Sequence, residues 1–426
     1  MPSTVEITSL AYGGNGVGRI DGKVVFVPFT APGDVAEVEM TSEKKDFGFA
    51  TLTGLKTPSP LRQTPPCPVF TLCGGCQWQH IGYPHQVEWK NIIFSETLKR
   101  LAGVTPPLTP PVPSPKPYNY RSRSRFHTDG ERWGFFEART HDVVDIEGCP
   151  LLEPVINTTF KGIKNAALPK TLYSFEIARD SEKEKTVAAF FMKTPAAFDW
   201  AGALSKVKEL KGYEVWVKDP FKRGKGRLME REGEEDISYC ADGLHFSAAA
   251  GSFSQVNIPQ NTNLVENVIE FSALTGKEDI LDIFCGAGNL TLPLGKRAKK
   301  TVGIDSDPRS IGYGRRNAEK NKITSVEFAC ESAARSKALE NIRPSVVILD
   351  PPRGGSLEVV RKIAGLKIKR VIYVSCNPPA MARDISILLK GGYTLFSAVT
   401  IDMFPQTYHI EAIAGLGRVS LKGRLG

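Results

Sequence analysis

The stretch Ile280-Leu-Asp-Ile-Phe-Cys-Gly-Ala-Gly288 decides how the second half of the chain folds. An apolar run of strand length, Ile280 to Phe284, ends in a loop carrying two glycines, and the next such run, Thr301 to Ile304, ends in Asp305. Further runs follow at Val326 to Phe328, Val346 to Leu349, Val371 to Val374, Leu395 to Ile401 and Tyr408 to Ala414, with helical spacing ahead of them over Asn257 to Phe271. From about Leu244 onward, strands alternating with helices predict an α/β domain: an open parallel sheet, doubly wound, with ligands outside the carboxyl ends of its strands. Gly286 and Gly288 let a ligand approach the backbone, and Asp305 can accept two ribose hydroxyls. A nicotinamide fingerprint would want a third glycine near Thr291, so the dinucleotide reading is weakened. Cys285 reads as a small packing residue.

Two later strand ends carry chemistry. The run Val371-Ile-Tyr-Val-Ser-Cys-Asn-Pro-Pro379 places Cys376 at a strand's carboxyl end, facing the positive end of the next helix, which is expected to favour its thiolate. A lone buried cysteine is more commonly just a packing residue. Asp350-Pro-Pro-Arg-Gly-Gly355 ends the preceding strand and aims a carboxylate into the same cleft. The final hairpin, Phe404-Pro-Gln-Thr-Tyr-His-Ile-Glu-Ala412, brings Glu411 near that edge.

The 426 residues exceed one ordinary domain and suggest three, bounded at 1–57, 58–243 and 244–426, with residues about 80–111 free to pack on the last. Apolar content is 41%, yet no stretch approaches the roughly 20 apolar residues of a membrane helix. Met1-Pro-Ser-Thr-Val-Glu-Ile lacks a signal-peptide pattern, so a cytoplasmic location is expected and no membrane partner. Lysine and arginine exceed aspartate and glutamate, 55 to 46, a net charge of +9 that suits a polyanionic partner.

Thr4 to Leu55 reads as a small barrel of short β-rich runs with a Pro32-Gly33-Asp34 turn. A proline-rich linker, Thr57 to Pro68, follows. Cys67, Cys73 and Cys76 then form a C-x5-C-x2-C group, and Cys149 comes much later. In a long cytosolic chain such a set argues for a metal, either an iron-sulfur cluster or tetrahedral zinc. Val87 to Leu101 has helical spacing, and Pro106 to Pro117 is a tether. In Tyr118-Asn-Tyr-Arg-Ser-Arg-Ser-Arg-Phe-His127, alternation puts Arg121, Arg123 and Arg125 on one strand face, a phosphate-tracking strip with Tyr118, Tyr120 and Phe126 for stacking. Gly134 to Glu147 suggests a hairpin that returns Cys149 to the other cysteines, Thr158 to Cys240 an α+β stretch, and Lys218 to Arg231 a second basic run.

The run Gly14-Asn-Gly-Val-Gly-Arg-Ile-Asp-Gly-Lys-Val-Val-Phe-Val-Pro28 resembles a TRAM domain, an RNA-binding barrel of OB-like shape. The loop after the first catalytic strand looks like the S-adenosylmethionine site of Rossmann-like class I methyltransferases. Phe253-Ser-Gln-Val-Asn257, Asp282 to Asn289, Asp350-Pro-Pro-Arg353, Ser375-Cys-Asn-Pro378 and His409-Ile-Glu411, in that order, resemble the RNA 5-methyluridine methyltransferase family over nearly the whole chain. The barrel and the four cysteines point within it to the branch that modifies a uridine of 23S ribosomal RNA. The resemblance implies Cys376 as nucleophile, Glu411 as base, a [4Fe-4S] cluster on Cys67, Cys73, Cys76 and Cys149, and a monomer. It implies methyl-donor contacts from Gln255, Phe284, Asn289, Asp305, Ser332 and Asp350. Asp305 replaces the branch's usual glutamate and Ser332 its asparagine, so Ser332 departs most from the pattern. Rivals are a transfer RNA uridine-54 methyltransferase, an iron-sulfur redox protein using a nicotinamide, and a non-enzymatic RNA-binding protein.

Overall fold

Strands whose side chains alternate between core and solvent can close on themselves when short turns join them. The computed structural model describes residues 3–218, 226–249, 251 and 254–418. In it, β1 (Ser3–Leu10), β2 (Gly16–Ile20), β3 (Lys23–Val27), β4 (Val35–Glu43) and β5 (Phe47–Thr57) form a closed barrel in the order β1-β2-β3-β5-β4. Val5, Ile7, Val25, Val27, Ala36, Val38 and Ala50 fill it. Asp34 anchors the turn, accepting from the backbones of Ala31 (2.6 Å) and Ser59 (2.8 Å) and pairing with Arg62 (2.7 Å), which ties the barrel to the linker.

The loop between β1 and β2 leaves the barrel and docks elsewhere. Trp78 donates its indole N–H to Gly14 O at 3.0 Å, and the Tyr12 ring meets the Tyr408 ring edge-on at 5.7 Å between centroids. Gly14 has φ +94°, and a Cβ there would lie 3.0 Å from Gln77 Cβ and 3.4 Å from Tyr408 Cβ. Only glycine accommodates both the left-handed backbone and the close approach.

Helix α1 (Tyr83–Ala102) ends at Gly103 in the left-handed conformation and buries Ile93, Phe94 and Leu98 in the core of the C-terminal sheet. Lys90 on the same helix is also buried and pairs with Asp402 at 2.7 Å, donating further to Phe404 O at 2.9 Å. Burial pushes the Lys90 ammonium below its ordinary range, and Asp402 opposes that shift. Asp402→Ala strands a buried cation, so unfolding free energy in urea should fall by about 3–5 kcal/mol, and Lys90→Met added to Asp402→Leu should recover most of it.

The central domain holds β6 (Arg123–Thr128), β7 (Trp133–Phe136), β8 (Val143–Asp145), α2 (Pro154–Lys164), β9 (Leu172–Asp180), β10 (Lys185–Met192), α3 (Trp200–Leu204), β11 (Leu210–Val217) and β12 (Arg227–Gly233). Its sheet runs β12-β11-β10-β9-β6-β7-β8, over a core in which Phe126 stacks on Phe135, Phe160 and Phe175. Two expectations fail here. Arg121, Arg123 and Arg125 make no exposed strip, because the strand beside β6 supplies buried Glu176, which pairs with Arg123 at 2.5 Å. Arg121 turns back to donate to Arg123 O at 3.1 Å, and Arg125 alone keeps an exposed guanidinium, lying over Phe191. Tyr120 and Phe126 are core residues, Tyr120 donating its hydroxyl to Pro405 O at 3.1 Å. Of the second basic run, residues 219–225 lie outside the described residues, as does Phe253.

A separate hairpin, β13 (Asp236–Ala241) and β14 (Leu244–Ala249), precedes the C-terminal sheet. Then come α4 (Ile258–Ser272), β15 (Asp279–Ile283), α5 (Thr291–Gly295), β16 (Lys300–Asp305), α6 (Pro308–Lys320), β17 (Val326–Cys330), α7 (Ala338–Ile342), β18 (Val346–Leu349), α8 (Leu357–Gly365), β19 (Arg370–Ser375), α9 (Pro378–Lys390), β20 (Thr394–Ile401) and β21 (Glu411–Gly417). The strand order β17-β16-β15-β18-β19-β21-β20 reverses direction between β15 and β18, which opens a cleft at their carboxyl ends. The first five are parallel, and β21 is antiparallel to both neighbours. The last strand begins at Glu411, three residues later than its apolar pattern suggests. Residues 404–409 instead form a turn, pinned where Gln406 O accepts from the backbones of Gln77 and Trp78, both at 3.1 Å, and Gln406 N donates to Gln86 at 2.8 Å. Among the described residues no helix is long and apolar enough to cross a membrane.

Candidate active site

Each side chain singled out in the catalytic half sits at the carboxyl edge of the sheet. Phe284 follows β15 with φ +72°, its N–H bonded to Ile304 O at 2.9 Å, so the chain turns sharply where the strand ends. Gly286 donates to Asp305 Oδ2 at 3.0 Å and Asp307 to Asp305 Oδ1 at 2.9 Å, which fixes the carboxylate at the end of β16. Asn289 exchanges amide hydrogen bonds with Asn261 of α4, at 2.8 and 2.9 Å.

Two clefts share Phe284 as a wall. A small one is lined by Gln255, Asp282, Gly286, Asn289 and Asp350. A wider one, about 410 Å³, is lined by Asp305, Ser332, Pro352 and Ser356. All six expected donor contacts therefore fall on one continuous edge. Asp282 is buried, its Oδ2 accepting from Thr291 at 2.6 Å while its Oδ1 receives no hydrogen bond. An orphaned carboxylate oxygen beside Asp350 and Asp305 fits a ligand that carries positive charge there.

Burial pushes the Asp282 carboxyl up to about 7, and burial with the neighbouring Asp282 raises Asp350 as well. The folded protein therefore holds protons that the unfolded chain releases near 3.8, and the stability this gives is present below that pH and lost as pH climbs through about 7. Calorimetric midpoints of the ligand-free protein should fall between pH 5 and 8, and Asp282→Asn should flatten that slope.

Cys376 follows β19 and Glu411 begins β21; their neighbours Ser375 and Ala412 are register partners, so the thiol and the carboxyl meet across adjacent strands. The activated thiolate expected from the helix terminus is not found. Pro378 and Pro379 occupy the first two positions of α9 and have no N–H to offer, and the third, Ala380, is capped by Asn377 Oδ1 at 3.3 Å. Burial, reinforced by Glu411 and Asp350, raises the Cys376 thiol to about 11, against the opposing pull of Arg353. Glu411 is itself pushed well above the carboxylate range by burial and by Asp350. Arg353, which the sequence marks only as the end of the Asp350-Pro-Pro-Arg353 turn, is the cation that faces the sulfur. Its carbonyl is held by Asn377 Nδ2 at 2.8 Å. The Tyr408 and His409 rings lie 4.4 Å apart and tilted by 42° just before Glu411, and burial keeps His409 neutral, at about 4. Cys285 is a packing residue as expected, buried with its thiol strongly raised.

The remaining cysteines gather elsewhere. Cys67, Cys73, Cys76 and Cys149 line one cavity of about 310 Å³, together with Gln79, Arg121, Arg125 and His127. The β7–β8 hairpin closes it: Gly74 N bonds Phe136 O at 3.0 Å, and Asn157 of α2 holds both backbone groups of Cys149, at 2.9 and 3.0 Å. Burial raises Cys76 to about 12 and Cys149 to about 11, with Cys67 and Cys73 adding to both.

Known proteins resemble both the sequence and this arrangement. The family model described as tRNA (Uracil-5-)-methyltransferase matches residues 82–419, and a TRAM domain model matches residues 3–53. The chain is 34% identical to a 23S rRNA (uracil(1939)-C(5))-methyltransferase, RlmD, of Pectobacterium atrosepticum, over 96% of this chain and 92% of that one. It is 32% identical to RlmD of Francisella tularensis subsp. holarctica, over 96% and 95% of the two. The crystal structure of Pyrococcus abyssi tRNA (uracil-54, C5)-methyltransferase in complex with S-adenosyl-L-homocysteine superposes with a TM-score of 0.77 at 28% identity, covering 98% of this chain and 100% of that one. With matches of this extent, the chain belongs to the tRNA (uracil-5-)-methyltransferase family.

Proposed function

We propose that the protein methylates C5 of a uridine in 23S ribosomal RNA, taking the methyl from S-adenosylmethionine through a covalent adduct on Cys376. The observation that carries this is the meeting of Cys376 and Glu411 on adjacent strands at the edge where the acidic cleft opens. S-adenosylmethionine supplies an electrophilic methyl group; Asp305 fits its ribose, and Asp282 and Asp350 fit its positive charge. Carbon 5 of uracil is a weak nucleophile until the Cys376 sulfur adds at carbon 6 and makes the ring an enolate. The Arg353 guanidinium favours the thiolate that must form. After methyl transfer, the Glu411 carboxylate takes the proton from carbon 5, the C6–S bond breaks, and the double bond returns. The base must be unstacked or flipped to meet both groups.

Gly288 tests the donor half of this reading. It has φ +90°, and a Cβ there would stand 2.9 Å from Phe328 Cζ and run into Leu292. Gly288→Ala should weaken S-adenosylmethionine binding in calorimetry by at least about tenfold.

The barrel supports the RNA half, since Phe26 stacks on Phe49 at 5.4 Å, Phe47 meets both edge-on, and Lys44 lies over Phe47. Aromatic platforms with cations suit single-stranded bases. Arg125 remains a candidate phosphate contact. The four cysteines, half-buried around one cavity, support a [4Fe-4S] cluster there.

The uridine of transfer RNA is the second reading, favoured by the name and fold of the Pyrococcus structure. Methylation of purified 23S and transfer RNA fragments, with mass mapping of the product, decides between them. Product on transfer RNA alone would overturn the ribosomal assignment.

A further inference from the structure

Far from the cysteine cavity, Cys240 and His245 are register partners across the β13–β14 hairpin. Their Sγ and Nδ1 atoms lie 3.3 Å apart. Glu182, in the turn between β9 and β10, brings Oε1 to 2.8 Å from the same Nδ1 and 3.9 Å from the sulfur. Atoms with those three separations have a common point roughly 2.0 Å from each, and zinc bonds to sulfur, nitrogen and carboxylate oxygen run about 2.0–2.3 Å. All three side chains are exposed, so a fourth position faces solvent. Lys320 stands 3.9 Å from the other oxygen, Glu182 Oε2, and leaves Oε1 free to ligate.

From this geometry we infer a binding site for a borderline divalent cation such as zinc, held by Glu182, Cys240 and His245 with water in the fourth place. Two thiolate-free groups and one sulfur match the preference of zinc over calcium or magnesium. The ion would join the β9–β10 turn of the central sheet to the β13–β14 hairpin. That hairpin is already fastened to the catalytic domain, where Asn321 at the end of α6 bonds both backbone groups of His245, at 2.9 and 2.6 Å. Tyr239 of the same hairpin lines the small acidic cleft. A bound ion therefore stiffens a connection that reaches the cleft without entering it.

The test uses the full chain with its four cavity cysteines intact. Zinc and cobalt(II) are titrated into the parent, Cys240→Ser, His245→Ala and Glu182→Gln, and bound metal is counted after dialysis. The parent should retain one more equivalent than Cys240→Ser. Each variant should bind that equivalent at least about tenfold to a hundredfold more weakly. The cobalt difference spectrum between parent and Cys240→Ser should carry a single thiolate charge-transfer band, and zinc should raise the thermal midpoint of the parent more than that of any variant. Equal stoichiometry and affinity in the parent and variants overturns the site. So does loss confined to Cys240→Ser, which would mark a lone thiol.

Discussion

Cys376→Ala is expected to lower turnover on RNA by about ten-thousandfold or more, with RNA affinity held within roughly twofold. The sulfur is the nucleophile placed opposite Glu411, and alanine removes it without disturbing the β19–α9 junction. RNA carrying 5-fluorouridine should trap the parent as a stable adduct, because fluorine at carbon 5 leaves no proton for the base to take, and peptide mapping should find residue 376. An adduct elsewhere ends the covalent account. The thiol's position near 11 gives a second check. Alkylation of Cys376 in the ligand-free protein should rise about tenfold per pH unit from 8 to 10, where an ordinary exposed cysteine, titrating at about 8.5, levels off.

Glu411→Gln is expected to slow turnover by about a hundredfold to ten-thousandfold while the covalent RNA complex accumulates, because addition and methyl transfer proceed and proton removal does not. Denaturing gels of enzyme with unmodified substrate RNA should therefore show a shifted band in Glu411→Gln that is absent from Cys376→Ala. The same change removes the carboxyl that helps hold the thiol high, so alkylation of Cys376 at pH 8 should become faster. Slower alkylation would place Glu411 away from the sulfur.

Much of this is legible in the amino-acid sequence. Strand ends carry the chemistry of an open α/β sheet, so the apolar runs that locate the strands also locate Phe284, Asp305, Asp350 and Cys376. What the chain concealed was long-range. Alternation places Arg121, Arg123 and Arg125 by strand face, but says nothing of Glu176 on the neighbouring strand, which turns the middle arginine inward. The proline pair after Cys376 marks a helix start correctly, yet the same prolines strip that start of the donors that would favour a thiolate. Asn261, which orients Asn289, lies 28 residues away on another element and carries no local signal.

The loop of residues 11–15 reaches from the barrel to the edge that carries Glu411. Its clasp on Trp78 and Tyr408 joins the barrel to the turn that runs directly into Glu411. On the proposed function, RNA held by the barrel would lean on the segment that places Glu411, so the module would act as a lever as well as a handhold.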